Sequence, residues 1–138
     1  MKQLLLIACT SLIFISSKAS TYYWVNNGGS WNDYSNHWAT TSGGSVFYNQ
    51  PPTANDDVVF DVNSFTTSSG QIVNLSNGVF TCRNLSWHNV LHAPLFGNTM
   101  VSHTATLKVY GSIEMDRSME YGINGVLSLE STSSTNTI

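Results

Sequence analysis

From Thr21 onward, apolar residues fall in short runs of period two, and no segment sustains an amphipathic helical period over three turns. The runs are Val58-Val59-Phe60, Ile72-Val73-Asn74-Leu75, Val79-Phe80-Thr81-Cys82, Leu85-Ser86-Trp87, Leu107-Lys108-Val109-Tyr110, Ile113-Glu114-Met115 and Val126-Leu127-Ser128-Leu129. Clusters such as Pro51–Asp57, Ser68-Ser69-Gly70, Ser76-Asn77-Gly78 and Gly122–Gly125 separate them and predict turns. Many short strands with Gly and Asn turns mean an all-β chain built as a sandwich, a barrel or a solenoid. Alternating apolar pairs, Leu85/Trp87, Leu107/Val109, Ile113/Met115 and Leu127/Leu129, can stack toward one interior. They favour the start of a β-solenoid, β-helix-like, over the alternative β-sandwich. The long gap between Trp87 and Leu107 predicts a protruding loop over residues 88–105.

Trp24, Trp31 and Trp38 lie seven residues apart in a run rich in Asn, Gly, Ser and Tyr. Gly28 and Gly29 oppose a helix there, since Gly costs about 1 kcal/mol against Ala in a helix interior. One long strand fails too, because an odd spacing sends successive side chains to opposite faces. Residues 20–65 are therefore expected to form a Trp-rich end module of short strands and turns, with Asp33 and Asn36 as Asx-turn formers.

Upstream, residues 1–19 predict a cleavable signal peptide. Lys2 precedes an apolar stretch from Leu4 to Ile15, and Ser17-Lys18-Ala19 gives a small-x-small cleavage signal. Leu6-Ile7-Ala8-Cys9 is similar to a lipobox, but Cys9 sits inside the apolar stretch with too little of it upstream. The stretch is too short for a span of about 20 residues, so no membrane span is expected after cleavage. The mature part keeps Arg83, Lys108 and Arg117 against eight acidic residues, a formal charge near −5. No basic patch is available to neutralise phosphates, which argues against nucleic acid as a partner. Cys82 is the one mature cysteine and reads as a small buried hydrophobe. Residues 66–138 read as solenoid-like coils that are incomplete at the C-terminus, with further repeats or another chain covering an open edge.

The Tyr-Trp-x-x-x-Gly-Gly-x-Trp-x-Asp-x-x-x-His-Trp run, followed by Pro52–Asp61, resembles the N-terminal region of large Bacteroidota secreted surface proteins. A similar Trp module opens passenger repeats of autotransporter adhesins. The close match covers about residues 22–65, with Trp31 and Trp38 spaced one residue wider than the usual pattern. The resemblance implies type IX secretion, β-helical adhesin-like repeats, and a structural role for the Trp module at one end of them.

Candidate chemistry is sparse. Trp24, Trp31, Trp38 and Tyr34 are a candidate sugar-stacking platform, with an aromatic mini-core as the plainer reading. Asp56, Asp57 and Asp61 are a weak Ca2+ candidate, although their spacing matches no EF-hand loop. Glu114, Asp116 and Glu120 are candidates for a glycosidase-like carboxylate pair or a lyase-like groove, and otherwise a solvated face. His37, His88, His92 and His103 show no zinc-site pattern. Asn74-Leu75-Ser76 and Asn84-Leu85-Ser86 fit the glycosylation triplet. No catalytic elbow, phosphate loop or cofactor motif appears, so neither an active site nor a cofactor is expected. The leading expectation is a secreted, non-enzymatic, adhesin-like structural segment. A carbohydrate-binding module that takes surface glycans comes second, and a polysaccharide-lyase-like enzyme a distant third.

Overall fold

The computed structural model describes residues 18–138 apart from 99, 101 and 103. The signal-peptide reading and His103 therefore lie outside the described residues. The first sixty residues contribute β1 (Thr21–Trp24), β2 (Gly29–Ser30), α1 (Tyr34–His37), β3 (Trp38–Ala39) and β4 (Asp57–Phe60). The rest forms β5 (Ile72–Asn74), β6 (Gly78–Cys82), β7 (Leu85–Trp87), β8 (Leu95–Gly97), β9 (Ala105–Val109), β10 (Ile113–Glu114), β11 (Glu120–Gly122) and β12 (Gly125–Leu129).

These strands make three sheets, ordered β10-β7-β4-β1-β3, β11-β8-β5-β2 and β12-β9-β6. Every named pair is parallel except β1 with β3, and an antiparallel bridge from Ala39 to Phe47 extends that edge. Parallel register puts like residues above one another. Val58 pairs with Leu85 and Leu85 with Ile113; Val73 pairs with Phe96 and Phe96 with Tyr121. Phe80, Leu107 and Leu127 make a third row, and Cys82, Val109 and Leu129 a fourth. Strand β9 shows why: Ala105, Leu107 and Val109 turn inward and are buried, while Thr106 and Lys108 face out. Each fully buried Val, Leu or Phe contributes about 1.5–3 kcal/mol relative to exposure.

The fold class expected from the sequence is corrected here. The described strands form separate open sheets, parallel or mixed, and neither a closed sheet nor a clear all-β solenoid. A helical turn, α1, interrupts the strands of the first sheet. The alternative β-sandwich fails as well, because its sheets would be antiparallel. Period two reports which side chains turn inward; it carries no information on strand direction or sheet closure.

The expected loop at 88–105 is corrected too. Strand β8 lies inside it, between β11 and β5, and Phe96 is fully buried. Three residues bounded by Pro94 and Asn98 are too few to display an alternating pattern. At Gly97 a Cβ would collide with the Gly122 carbonyl, so the strands meet there only because the residue has no side chain.

The inward rows are expected to carry the stability of the chain. Leu107→Ala should cost about 2–5 kcal/mol, whereas Lys108→Ala, removing a surface pair with Glu130, should cost about 1 kcal/mol or less. Urea unfolding of the two variants checks this, and equal losses would contradict the inward assignment.

Candidate functional site

The Asn26-Asn27-Gly28 segment is a bend that leads into β2. Asn26 and Asn27 have φ of 63° and 66°, a left-handed conformation that Asn tolerates better than most residues. This bend brings β2 back so that Trp31 meets Trp38, with ring centroids 4.9 Å apart at 73°. Trp24 meets Trp38 edge-on at 4.8 Å. Both indole N–H groups with carbonyl partners are satisfied locally: Trp24 Nε1 donates to Asn27 O at 2.6 Å, and Trp38 Nε1 to Trp31 O at 2.7 Å. His37 stacks on Trp24 at 4.5 Å and its Nδ1 lies 2.8 Å from the Val25 carbonyl. A carbonyl can only accept, so Nδ1 carries the proton. A Cβ on Gly29 would strike His37 Nε2, which makes glycine a packing requirement at that position.

The sugar-stacking platform is corrected by this packing. Trp24, Trp31 and Trp38 are 0%, 1% and 0% exposed, so none offers an indole face to a ligand. Tyr34, on α1, is 37% exposed and stands apart from the buried rings. The physical reason is supply: indoles are the largest apolar groups in a glycine-rich segment, and burial of one removes 150–250 Å2 from water.

The weak Ca2+ candidate is corrected as well. Asp56 is buried, and its carboxylate accepts from Ser20 N at 3.1 Å, Thr53 N at 2.9 Å and Thr53 Oγ1 at 2.6 Å. Asp57 is occupied by Arg83 Nε at 2.8 Å, by Arg83 Nη2, and by Asn84 Nδ2 at 2.7 Å. Asp61 accepts from Asn63 N in its own turn, at 2.9 Å. The three carboxylates thus have separate partners: Asp56 and Asp61 take backbone N–H groups, and Asp57 takes the Arg83 and Asn84 side chains. Among the described residues, no group of three or more His, Cys, Asp or Glu converges as a metal site would require.

The second acidic group also disperses. Asp116 has its pKa held below the usual carboxylate range, chiefly by the Ser118 N–H, with further help from the N–H groups of Asn89 and Val90. Glu120 lies on exposed β11, where its N–H donates to Pro94 O. Glu114 takes part in a cluster that sequence reasoning missed. Ser86 Oγ lies 2.6 Å from His88 Nε2, and His88 Nδ1 lies 3.3 Å from Glu114 Oε1. The connectivity is that of a Ser–His–carboxylate relay. Ser86 nevertheless donates its one proton to Glu114 Oε2 at 3.2 Å, and the His88 and Glu114 side chains are 45% and 64% exposed. The cluster therefore lies on the open surface, with both the ring and the carboxylate reached by solvent. It behaves as a surface polar cluster. Alternation in Ser86-Trp87-His88 places Ser86 and His88 on one side, but Glu114 joins them only through the β7–β10 register.

In the second glycosylation triplet the Asn84 amide is already engaged. Asn84 Nδ2 is given to Asp57 while its Oδ1 accepts from Ser112 N at 2.7 Å, and the Oδ1 of Asn74 is buried. Cys82 is buried in its row, and burial, with a smaller contribution from Asp57, pushes its thiol up to about 12.

Among the described residues, the end formed by β10, β11 and β12, each at one edge of its sheet, carries exposed apolar side chains. Tyr121, Val126 and Leu129 are 49%, 55% and 47% exposed there. A cavity of about 150 Å3 opens beside Leu129, with Gly111, Thr137 and Ile138 among its walls. Among the described residues, no helix is long and apolar enough to cross a membrane. In comparisons with known proteins, no family model, no curated protein and no solved structure matches the chain.

The raised Cys82 pKa has a pH consequence. Folding favours the neutral thiol, so this contribution is complete below the unfolded value of 9.0 and is lost as pH rises from there through about 12. Iodoacetamide at pH 8 is expected to leave Cys82 unmodified in the folded chain and to alkylate it in urea, as read by intact mass. Rapid alkylation without denaturant would contradict the buried assignment.

Proposed function

We propose that this chain is a secreted, non-enzymatic, adhesin-like structural segment of a bacterial surface protein. In this reading, residues 20–65 close one end of the structure and β10–β12 present the other for association. The observation that carries it is the fate of the chemistry-bearing residues. The indoles are buried, and Asp56, Asp57, Asp61 and Asp116 are occupied by backbone and side-chain donors. Among the described residues, the last strands β11 and β12 leave apolar side chains exposed, Tyr121, Val126 and Leu129 among them.

The sequence adds two supports. The Lys2–Ala19 segment has the layout of a signal peptide, and the aromatic run over residues 22–65 resembles secreted Bacteroidota surface proteins. A chain that leaves the cytoplasm with one cysteine has no disulfide of its own for reinforcement. The aromatic cluster supplies reinforcement instead, through rings such as Phe60 and Trp87 stacked at 3.9 Å.

Two measurements test the reading. N-terminal sequencing of the chain recovered from the envelope or medium of a producing bacterium should begin at Ser20; an uncleaved cytoplasmic chain would contradict export. Trp24→Ala, Trp31→Ala and Trp38→Ala should each lose about 3–5 kcal/mol of stability. Variants that stay folded by circular dichroism while losing affinity on a glycan array would contradict the structural role.

A further inference from the structure

Asparagine followed by glycine is a reactive pair. The backbone nitrogen of the glycine attacks the side-chain carbonyl carbon of the asparagine and closes a five-membered ring. Glycine permits the attack because it has no Cβ in the way and its backbone turns freely. The chain holds three such pairs, Asn27-Gly28, Asn77-Gly78 and Asn124-Gly125. The fold treats them differently.

At Asn27 the nucleophile is tied down. Gly28 N donates to Gln71 Oε1 at 2.8 Å, while Asn27 Oδ1 is held elsewhere, by Thr66 N at 2.9 Å and Thr67 N at 3.1 Å. A Cβ on Gly28 would lie 2.9 Å from Ile72 N, so the main chain has little room to rotate there. Gly125 is also confined, since a Cβ on it would collide with the Ala105 backbone. Gly78 is open. A Cβ there would meet nothing nearer than the Phe80 ring at 3.9 Å, and Asn77 and Gly78 are both exposed at the entry to β6.

The reacting groups of this pair also face the same way. Gly78 N donates to Thr104 O at 3.4 Å, and Asn77 Oδ1 accepts from Thr104 N at 2.7 Å. Both converge on Thr104, which puts the attacking nitrogen and the side-chain carbonyl on one side of the chain. The first bond is longer than an ordinary N–H···O bond and restrains the nitrogen weakly. The second stabilises the negative charge that builds on Oδ1 as the ring closes.

We propose that Asn77 is a site of spontaneous covalent modification, deamidation through a cyclic imide formed with Gly78. Gly78 N gives its proton to hydroxide and bonds to Asn77 Cγ; the Cγ–Nδ2 bond breaks and ammonia leaves. Water then opens the imide at either carbonyl and yields aspartate or isoaspartate. One water is consumed and one ammonia released, with no change of oxidation state. The product carries a new negative charge beside β6. Its isoaspartate form lengthens the main chain by one methylene just before the β6–β9 pairing. The site is a property of this chain alone and is independent of the structural role proposed above.

The test incubates the purified chain at pH 8, folded and in urea, and follows each pair by peptide mapping with fragmentation that separates aspartate from isoaspartate. In the folded chain Asn77 should convert at least tenfold faster than Asn27 or Asn124, to a mixture of both products. The new oxygen should come from isotopically labelled water, and the rate should rise with pH. In urea the three pairs should react at similar rates, because the contacts that distinguish them are gone. Asn77→Gln lengthens the side chain beyond the five-membered closure and should stay intact at that position, with circular dichroism unchanged. Folded-state conversion at Asn27 or Asn124 as fast as at Asn77 would overturn the proposal. So would an Asn77 that stays intact in the folded chain while reacting in urea, because the fold would then protect it.

Discussion

An apolar side chain in a parallel row is dry only when another side chain covers it on both sides. The whole structure depends on how the two ends of each row meet that requirement. At one end Trp31 does the covering. Its ring lies 6.2 Å from Phe80 and 6.1 Å from Phe96, the members of two different rows. Phe80 begins its row and is still only 4% exposed. Leu129, at the far end of the neighbouring row, is 47% exposed although its strand neighbour Val109 is fully buried. Among the described residues, the aromatic cluster therefore covers the start of the rows, while Leu129 at their other end stays half exposed. At about 25 cal/mol per Å2 of apolar surface, a single covered Leu or Phe makes a difference that a small domain feels.

Backbone satisfaction follows the same geometry and explains the composition. Turns between strands leave N–H groups that no ladder reaches, and asparagine side chains take them. Asn77 Oδ1 accepts from Thr104 N, Asn84 Oδ1 from Ser112 N and Asn98 Oδ1 from Asn124 N, each at 2.7 Å. Asn27 Oδ1 accepts from the N–H groups of Thr66 and Thr67 at 2.9 and 3.1 Å. These amides tie turns to strands tens of residues away and so are structural parts. Few charges are needed for that work, and just 9% of the chain is charged.

The inward residues were legible in the sequence because alternation is local. Leu85/Trp87 and Leu107/Val109 are buried where their runs place them, whereas Met115 and Leu129, expected to face inward with Ile113 and Leu127, are 38% and 47% exposed. Pairing direction was illegible, because period two is the same for parallel and antiparallel strands. Strand β8 escaped notice since a three-residue Leu-Phe-Gly segment has no period to read. The spacing of Trp24, Trp31 and Trp38 identified a compact unit, but not the side of it that faces water; burial by Phe60 and Phe80 depends on strands tens of residues away. The Ser86–His88–Glu114 cluster was invisible for a like reason, since Glu114 reaches Ser86 only across the β7–β10 pairing. Carboxylates close in sequence, Asp56, Asp57 and Asp61, each answer to different partners: backbone N–H groups for Asp56 and Asp61, the Arg83 and Asn84 side chains for Asp57.

The claim that one end is closed and the other open has a residue-level signature in amide hydrogen exchange. The N–H groups of Leu107 and Val109, bonded within the sheet and covered on both sides, should exchange only through global unfolding. On β12, Val126 and Ser128 should be protected by their bonds to β9, while Leu127 and Leu129 exchange close to the rate of an unstructured amide. The alternation along this one strand is the predicted result. Uniform protection from Val126 to Leu129 in the isolated monomer would contradict an open edge, and with it the account of how the rows end.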